Sequence, residues 1–345
     1  MLFQSFITRL SQTTARRLWR GAASLPDSAR GLVATQEKFV KMKNMLPALE
    51  KQTPARFRFA YRNLSMAFGS DKFEVSLVEN RVVESKQSSF KVRVYRTEAA
   101  LKNTSNAALV YFHGGGGVIG DLDTHDVFCR YIANNTDIIV ISVDYRLAPE
   151  YPLPTPLEDS IRGWNWVCEN NVELGIDLSR CGVGGDSAGG FMAASVCQQA
   201  LQPVLSDKPV VMPAYQWLIY PMLDARMETP SSKLFTQDLL LTRSTVLYFY
   251  DHLLPAHIDR SSTLASPILV KELAGLPPTY IATVGFDPLK DEGDLYVNNL
   301  KRQDVAVVSD HFHNVMHGFI GIMGVCPTSK SYADVMLKNL RALTQ

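Results

Sequence analysis

Residues 185–190 read Gly-Asp-Ser-Ala-Gly-Gly, and this stretch decides the fold. The pattern Gly-x-Ser-x-Gly is typical of a serine on a sharp turn between a strand and a helix. Residues 180–184 can form the short buried strand, and residues 188–201, rich in alanine, have apolar side chains at helical spacing. The sequence therefore predicts a strand, a tight turn that presents the Ser187 hydroxyl, and a helix.

A second signal lies upstream, where His113 is followed by four glycines. They come directly after residues 107–112, an apolar run that predicts a buried strand. Such a loop exposes backbone N–H groups, which can stabilise the negative oxygen that forms when a nucleophile attacks a carbonyl group. We expect Gly115 and Gly116 to supply two donors and Ala188 the third. A phosphate-binding loop is the alternative, but its usual glycine spacing and Lys-Ser/Thr ending are missing.

A serine hydroxyl is a weak nucleophile, so it needs a base, and the base needs an acceptor that orients it. Of the seven histidines in the chain, His317 is the preferred base. It follows a strand-like run at 305–308 and precedes a last helix, where loops at the end of the sheet converge. His311 and His313 are the competing candidates, although a histidine in a loop is usually only a solvated polar residue.

The orienting acid is expected in the loop after the preceding strand, which is predicted at 279–284. Asp287 follows this strand directly. Because a proline comes next, Asp287 would also suit the N-cap of a helix, which is the alternative interpretation. The chain order Ser187, Asp287, His317 is that of an α/β-hydrolase and differs from both well-known serine-protease orders.

These motifs resemble the hormone-sensitive-lipase family of esterases within the α/β-hydrolase superfamily. The likeness runs in the expected order through 113–116, 144–150, 185–190, 287–293 and 317–319. It implies an α/β fold with a mostly parallel central sheet, flanking helices and a helical cap. It also implies that Ser187 is the nucleophile, His317 the general base and Asp287 its orienter. The implied oxyanion hole consists of Gly115, Gly116 and Ala188.

Two positions depart from the family pattern. Phe191 stands where many relatives carry a polar residue, and this could reshape the pocket wall. Lys290 replaces a frequent arginine and lacks its planar fork, so it could loosen a structural ion pair. Within 144–150, we expect the charged residues to fix loops beneath the active site rather than to contact substrate.

The order of strands and helices supports the same fold. Residues 73–84 and 89–98 alternate as strands that could form a hairpin, and strands then alternate with helices. This alternation predicts a mostly parallel sheet covered on both faces. We divide the chain into N-terminal cap helices at 1–68 and a catalytic domain at 69–345, with a cap insertion at about 224–266.

The composition narrows the classes of function. With 345 residues and 46% hydrophobic content, the chain can bury one large core. A net charge of +1 gives no support for nucleic-acid binding. No run approaches the roughly 20 apolar residues of a membrane span, so stable membrane insertion is not expected. The five cysteines lack metal spacing, and their odd number favours free thiols in a reducing compartment, the cytoplasm.

The first 26 residues contain four arginines and no acidic residue. Their apolar side chains between residues 2 and 10 share one helical face. We interpret this segment as a cap helix that covers the acyl pocket, with an organelle-targeting or membrane-surface helix as the alternative.

The sequence thus predicts a serine carboxylesterase that acts through an acyl-enzyme and requires neither a metal nor an organic cofactor. The resemblance implies small carboxylic esters with short to medium acyl chains as substrates, and it allows a homodimer. As a hypothesis, four aromatic residues line the acyl side, although such residues are as often plain core: Phe191, Phe235, Tyr248 and Phe249.

Two other functions stay open at this point. An amidase or formamidase would use the same three residues on a small amide. A small-molecule receptor would keep the fold without turnover, although such receptors usually lack a member of the triad and this chain has all three.

Overall fold

The computed structural model describes residues 49–84, 89–205, 209–237 and 239–345. The arginine-rich N-terminal segment, and with it most of the predicted cap region at 1–68, lies outside the described residues. Throughout the described chain, no helix combines the length and apolar character needed to cross a membrane.

The described residues form one eight-stranded sheet in the order β1-β2-β4-β3-β5-β6-β7-β8. Its strands are β1 (Leu77–Val83), β2 (Phe90–Arg96), β3 (Asn106–Phe112), β4 (Ile139–Val143), β5 (Ile176–Asp186), β6 (Gln216–Ile219), β7 (Thr279–Phe286) and β8 (Val307–Met316). The expected hairpin is present as the antiparallel pair β1 and β2, and β2 is also antiparallel to β4. All other neighbours are parallel. The predicted mostly parallel sheet is therefore confirmed.

Helices connect the parallel strands. The α-helices are α1 (Pro54–Phe68), α2 (Glu98–Lys102), α3 (Asp126–Thr136), α4 (Thr155–Glu169), α5 (Asn171–Leu174), α6 (Ala188–Leu201), α7 (Pro230–Leu234), α8 (Arg243–Leu253), α9 (Lys290–Lys301) and α10 (Pro327–Leu343). Short 3-10 helices lie at Leu49–Lys51, Pro267–Leu269 and Phe319–Ile322. The helices α7 and α8 lie in the long connection from β6 to β7, which includes the expected insertion at 224–266.

The sheet separates two hydrophobic cores, and β3 shows how the sequence produces them. Every residue of β3 is buried. Ala108, Val110 and Phe112 belong to one core, which also contains side chains of α4, α6 and α9. Leu109 and Tyr111 belong to the other, with side chains of α3 and α10. Because side chains alternate along a strand, a continuous apolar run of this kind indicates a strand buried on both faces.

Arg58 joins α1 to two loops of the catalytic body. Its guanidinium donates hydrogen bonds to the backbone oxygens of Val118 and Ala148, both at 2.8 Å. It also donates two hydrogen bonds to the carboxylate of Glu150, at 2.9 and 2.6 Å. These contacts hold α1 across the end of the sheet where the parallel strands terminate.

The charged residues of 144–150 fix loops, as expected from the sequence. Arg146 donates two hydrogen bonds, at 2.7 and 2.8 Å, to the buried carboxylate of Asp159 in α4. Such a paired arrangement holds the segment in one orientation against α4. Lys290, in place of an arginine, contacts two carboxylates at the start of α9, Asp294 at 2.7 Å and Asp291 at 3.2 Å.

Candidate active site

Ser187 occupies the tight turn predicted between β5 and α6. Its backbone has φ 56° and ψ −117°, a conformation that is uncommon for any residue except glycine and that persists only when surrounding structure enforces it. The helix packs closely against β3 here, because a Cβ at Gly189 would lie 1.9 Å from the backbone oxygen of Phe112. The strand, turn and helix therefore hold the Ser187 hydroxyl at the carboxyl end of the sheet.

Two further side chains meet Ser187 at this edge. His317 follows the last residue of β8, and its Nε2 lies 2.9 Å from Ser187 Oγ. Asp287 follows the last residue of β7, and its Oδ2 lies 2.8 Å from His317 Nδ1. With the Nδ1 proton facing the carboxylate, Nε2 is free to accept the proton of the serine hydroxyl. The structure thus brings together the three residues that the sequence places up to 130 positions apart.

Asp287 is not the N-cap of the helix that follows it. Helix α9 begins at Lys290, and its cap position is Leu289. Instead, Asp287 Oδ1 accepts a hydrogen bond from the Leu289 N–H at 2.8 Å. The side chain is fully buried, so one oxygen fixes the loop while the other faces His317.

The competing histidines have other partners. His311 and His313 lie inside β8, with their rings 4.4 Å apart. Nδ1 of His311 is 2.8 Å from Thr283 Oγ1. Burial, with a smaller contribution from His313, lowers the pKa of His311. The histidine that the structure pairs with Ser187 is therefore His317.

The glycine loop lies beside Ser187. Gly115 and Gly116 line the cavity that contains the serine, with φ values of 122° and 64°. A Cβ at Gly116 would lie 2.1 Å from the Phe249 ring, so both conformation and space require glycine at this position. Ala188, the third expected donor, is fully buried at the start of α6.

A buried carboxylate beside the nucleophile was not assigned a role from the sequence. Asp186 Oδ1 accepts hydrogen bonds from the Tyr111 hydroxyl at 2.6 Å and from the Gly114 N–H at 2.9 Å. It also lies 3.3 Å from Nε2 of His125. Burial raises the pKa of Asp186, but His125 and these hydrogen bonds outweigh it, so the pKa lies below its usual value. Asp186 is therefore an ionised anchor for the start of the glycine loop.

We expect Asp186→Asn to lower kcat by roughly 10- to 100-fold with little change in KM, because a displaced glycine loop stabilises the transition state less well. Initial rates on p-nitrophenyl butanoate test this, with circular dichroism to verify folding. Tyr111→Phe removes one of the two hydrogen bonds and should have a smaller effect. An unchanged kcat in Asp186→Asn would contradict the anchoring role.

A cavity of about 160 Å³, called here the main cavity, contains Ser187 and His317 on its wall. Most of its lining is apolar and comes from α1, from α8 and the loop before it, and from the segment after His317. It includes Phe57, Leu64, Phe68, Leu241, Phe249 and Ile322. Tyr61 and Ser65 of α1 add hydroxyl groups. Apolar lining with a few polar groups is the usual character of a small-molecule site.

Only one of the four aromatic residues expected on the acyl side lies on this cavity. Phe249 lines it. Phe191 is fully buried in the core behind the serine, and Phe235 packs edge-on against Phe286 instead. Tyr248 donates to the backbone oxygen of Gln52 at 3.1 Å. Phe191, Phe235 and Tyr248 therefore do not line the main cavity. For Tyr248 the reason is that neighbouring positions on a helix point about 100° apart, so α8 turns it away when Phe249 faces inwards.

The residues of α1 that replace them were missed. Phe57, Tyr61, Leu64, Ser65 and Phe68 recur at helical spacing and line the main cavity. That spacing was the available signal, since it marks one face of a helix. Within the ranges that the structure describes, no group of three or more His, Cys, Asp or Glu side chains is arranged to hold a metal ion.

His113 makes the folded protein sensitive to acid. Burial, with the nearby His125, lowers the pKa of its imidazole to about 4. In the unfolded chain the pKa is about 6.5, so between about pH 6.5 and pH 4 only the unfolded chain takes up the proton. The free energy of unfolding should therefore fall by up to about 3 kcal/mol as pH falls through this window.

Urea unfolding of wild type and His113→Asn between pH 7 and pH 4 measures this effect. The asparagine amide can replace the contact of His113 Nδ1 with the Gly114 oxygen, which is 2.8 Å in wild type. The variant should lose less stability on acidification, whatever its stability at neutral pH. Parallel pH dependences in the two proteins would contradict the assignment.

This chain is similar in sequence to a protein family and to individual known proteins. A family described as alpha/beta hydrolase fold matches residues 109–321. The carboxylic ester hydrolase LipN of Mycobacterium tuberculosis is 39% identical over 68% of this chain and 62% of LipN, so the match spans less than two thirds of LipN. The esterase LipI of the same organism is 37% identical over 73% of this chain and 77% of LipI.

The fold also matches solved structures. The ester-hydrolase EH1AB1 from the metagenome of Lake Arreo superimposes with a TM-score of 0.84 at 33% identity. The superposition covers 92% of this chain and 98% of EH1AB1. EH1AB1 was solved in complex with a derivative of bipyridine phosphonate.

Proposed function

Because this chain belongs to the hormone-sensitive-lipase-like family of α/β-hydrolases, we propose that it is a carboxylic ester hydrolase with a serine nucleophile. The observation that carries the proposal is the hydrogen-bonded row of Ser187, His317 and Asp287, with distances of 2.9 and 2.8 Å. The named relatives are carboxylic ester hydrolases and esterases, which supports the same reaction.

In the acylation half-reaction, Ser187 Oγ attacks the ester carbonyl carbon while Nε2 of His317 takes the hydroxyl proton. Asp287 holds the imidazole in the tautomer that accepts this proton and stabilises the resulting imidazolium. The tetrahedral intermediate collapses as His317 returns the proton to the alkoxide, and the alcohol leaves. Water then attacks the acyl-enzyme with the same imidazole as base.

The oxyanion of each tetrahedral intermediate accepts hydrogen bonds from backbone N–H groups. We assign these donors to Gly115, Gly116 and Ala188, supported by the position of the two glycines on the wall beside Ser187. Donors that are already in place need no reorganisation when charge develops, and losing one typically lowers the rate by about 100- to 1000-fold. The Asp186 anchor on Gly114 contributes to this preorganisation.

The reaction is tested with a matched ester and amide. We expect rapid hydrolysis of p-nitrophenyl butanoate and slow hydrolysis of the p-nitroanilide of butanoic acid, with both activities lost after treatment with a p-nitrophenyl phosphonate. Peptide mapping by mass spectrometry should locate the phosphonyl group on Ser187. Faster turnover of the amide would instead identify an amidase, and no turnover of either compound would identify a binding protein.

The main cavity supports esters with short to medium apolar acyl chains. Each additional buried CH₂ contributes about 0.8 kcal/mol, or about fourfold in kcat/KM, until the chain fills the space. Phe249→Ala should move the optimum of a p-nitrophenyl acyl series to a longer chain, because the ring that bounds the cavity is removed. Phe235→Ala, which truncates a ring away from the main cavity, is the matched control. The same optimum in all three proteins would rule out Phe249 as the limit.

We also propose that the protein acts in a reducing compartment, the cytoplasm. All five cysteines are free thiols, and four of them are buried. Burial raises the pKa of the Cys168 thiol, the partly exposed one, to about 12, so it is poorly reactive at neutral pH.

A further inference from the structure

A second cavity of about 40 Å³ adjoins the main cavity, and we call it the side cavity. Its polar lining residues are Tyr61, Ser65, Thr124, His125, Asp186 and Tyr220. Five residues line both cavities: Tyr61, Ser65, Asp186, Gly318 and Gly321. The two spaces therefore meet at the segment that follows His317.

Tyr220 contributes a buried hydroxyl group to the lining of the side cavity. The residue is 2% exposed, and its ring lies 4.3 Å from the ring of His317. Among the residues that the structure describes, none accepts a hydrogen bond from Tyr220 Oη, and the backbone N–H of Ile320 is the one polar group placed to donate to it. Its φ of 35° is also rare for a bulky residue. A buried hydroxyl is normally satisfied by protein or by ordered water, so this one indicates a bound molecule.

Asp186 is a second polar residue of the side-cavity lining. The hydrogen bonds from Tyr111 and Gly114, and the contact with His125, all involve Oδ1. The second oxygen, Oδ2, takes part in none of these contacts. The side cavity thus combines the Tyr220 hydroxyl with a carboxylate, and the negative charge of that carboxylate disfavours an anionic occupant.

The volume of the side cavity limits the size of the molecule that it can bind. A water molecule needs about 10–15 Å³ of space measured in this way and two to four polar partners. The side cavity provides about 40 Å³, enough for a few water molecules and too little for an acyl chain. Neither Ser187 nor His317 lines the side cavity, so an occupant there does not block the nucleophile. Its link to the imidazole is the Tyr220 ring, which lines the side cavity and contacts His317.

We propose that the side cavity binds water and supplies it to the acyl-enzyme, an inference that rests on the proposed function. In this proposal, an apolar acyl chain in the main cavity limits the approach of solvent to Ser187, and the side cavity supplies the water for deacylation. The oxygen of this water bonds to the acyl carbon as Nε2 of His317 takes one of its protons. The bond from that carbon to Ser187 Oγ then breaks, Oγ receives the proton from His317, and the carboxylic acid leaves.

Partitioning of the acyl-enzyme tests the proposal. Wild type and Tyr220→Phe are given p-nitrophenyl butanoate with a series of methanol concentrations, and butanoic acid and methyl butanoate are quantified. Phenylalanine keeps the ring against His317 and removes only the hydroxyl. We expect the ratio of methyl ester to acid to rise about fivefold, the size of effect expected for one hydrogen bond. The kcat/KM for p-nitrophenol release, which reports acylation, should stay unchanged.

Tyr250→Phe is the matched control. Tyr250 is fully buried, its hydroxyl has no acceptor among the described residues, and it does not line the side cavity. A second test variant, Gly321→Val, adds a side chain where the two cavities meet, and a Cβ there contacts nothing within 4 Å. It should raise the ratio as Tyr220→Phe does, whereas Tyr250→Phe should match wild type.

An unchanged ratio in both Tyr220→Phe and Gly321→Val would overturn the water site. A fall in kcat/KM for p-nitrophenol release without a change in ratio would also overturn it, because Tyr220 would then act only by positioning His317. Other results would contradict the proposed function rather than the water site. In that case wild type would form no methyl butanoate, and Ser187→Ala would retain hydrolysis.

Discussion

Ser187→Ala should lower kcat/KM for p-nitrophenyl butanoate by on the order of a millionfold, because alanine offers no nucleophile while the imidazole remains in place. The fold should be unaffected, since the substitution removes one hydroxyl at a position that keeps its backbone hydrogen bond to Ile219. The residual rate is measured in assays with long incubation times, on protein purified free of host esterases. Far-UV circular dichroism reports the fold.

Ser195→Ala is the control for this variant. Ser195 is a buried serine on the same helix, α6, and it does not line the main cavity. It should retain wild-type activity. If Ser187→Ala retained most of the activity instead, the acyl-enzyme mechanism proposed for this site would be excluded.

Asp287→Asn should lower kcat by on the order of ten-thousandfold. An amide at this position can present its NH₂ group to His317 Nδ1, which favours the tautomer with its proton on Nε2. That nitrogen can then no longer accept the proton of Ser187. The steady-state kcat and its pH profile measure the loss of activity. Thermal unfolding separates this loss from a change in stability.

Asp294→Asn is the matched substitution for Asp287→Asn. Asp294 lies on the next helix, α9, where it pairs at 2.7 Å with Lys290 at a partly exposed position. Surface ion pairs of this kind contribute about 0–1 kcal/mol, so activity should stay within about twofold of wild type. A loss of less than about tenfold in Asp287→Asn would show that another group orients the imidazole.

The central part of the fold is readable from local sequence. Helix α6 begins and ends where the alanine-rich run after Ser187 predicts, because the glycine turn fixes one end. The strand β8 extends well past the apolar run at 305–308 that predicts it. The run stops early because Ser309, Asp310 and His311 interrupt the apolar pattern. Since β8 lies at the edge of the sheet, polar residues are tolerated along it and conceal its length.

The triad positions follow from motifs, whereas the cavity wall and the Asp186 anchor depend on tertiary structure. Asp186 contacts residues 72 and 75 positions away, and no local pattern reports such a meeting. Similarly, whether an aromatic residue on a helix faces the sheet or the substrate depends on how the helix is rotated. Phe249 and Tyr248 are adjacent in sequence, yet only Phe249 reaches the main cavity.

The hydrogen bonds from Arg58 to Val118 and Ala148 join α1 to the segment that follows the glycine loop and to the loop after β4. Val118 itself donates its N–H to the oxygen of Gly115 at 3.0 Å, so two successive hydrogen bonds link α1 to the glycine loop. We therefore expect substitutions in α1 to affect both substrate entry and turnover. Transplanting the cap of a relative to alter chain-length selectivity would therefore alter turnover as well, unless the arginine and its acceptors were transferred together.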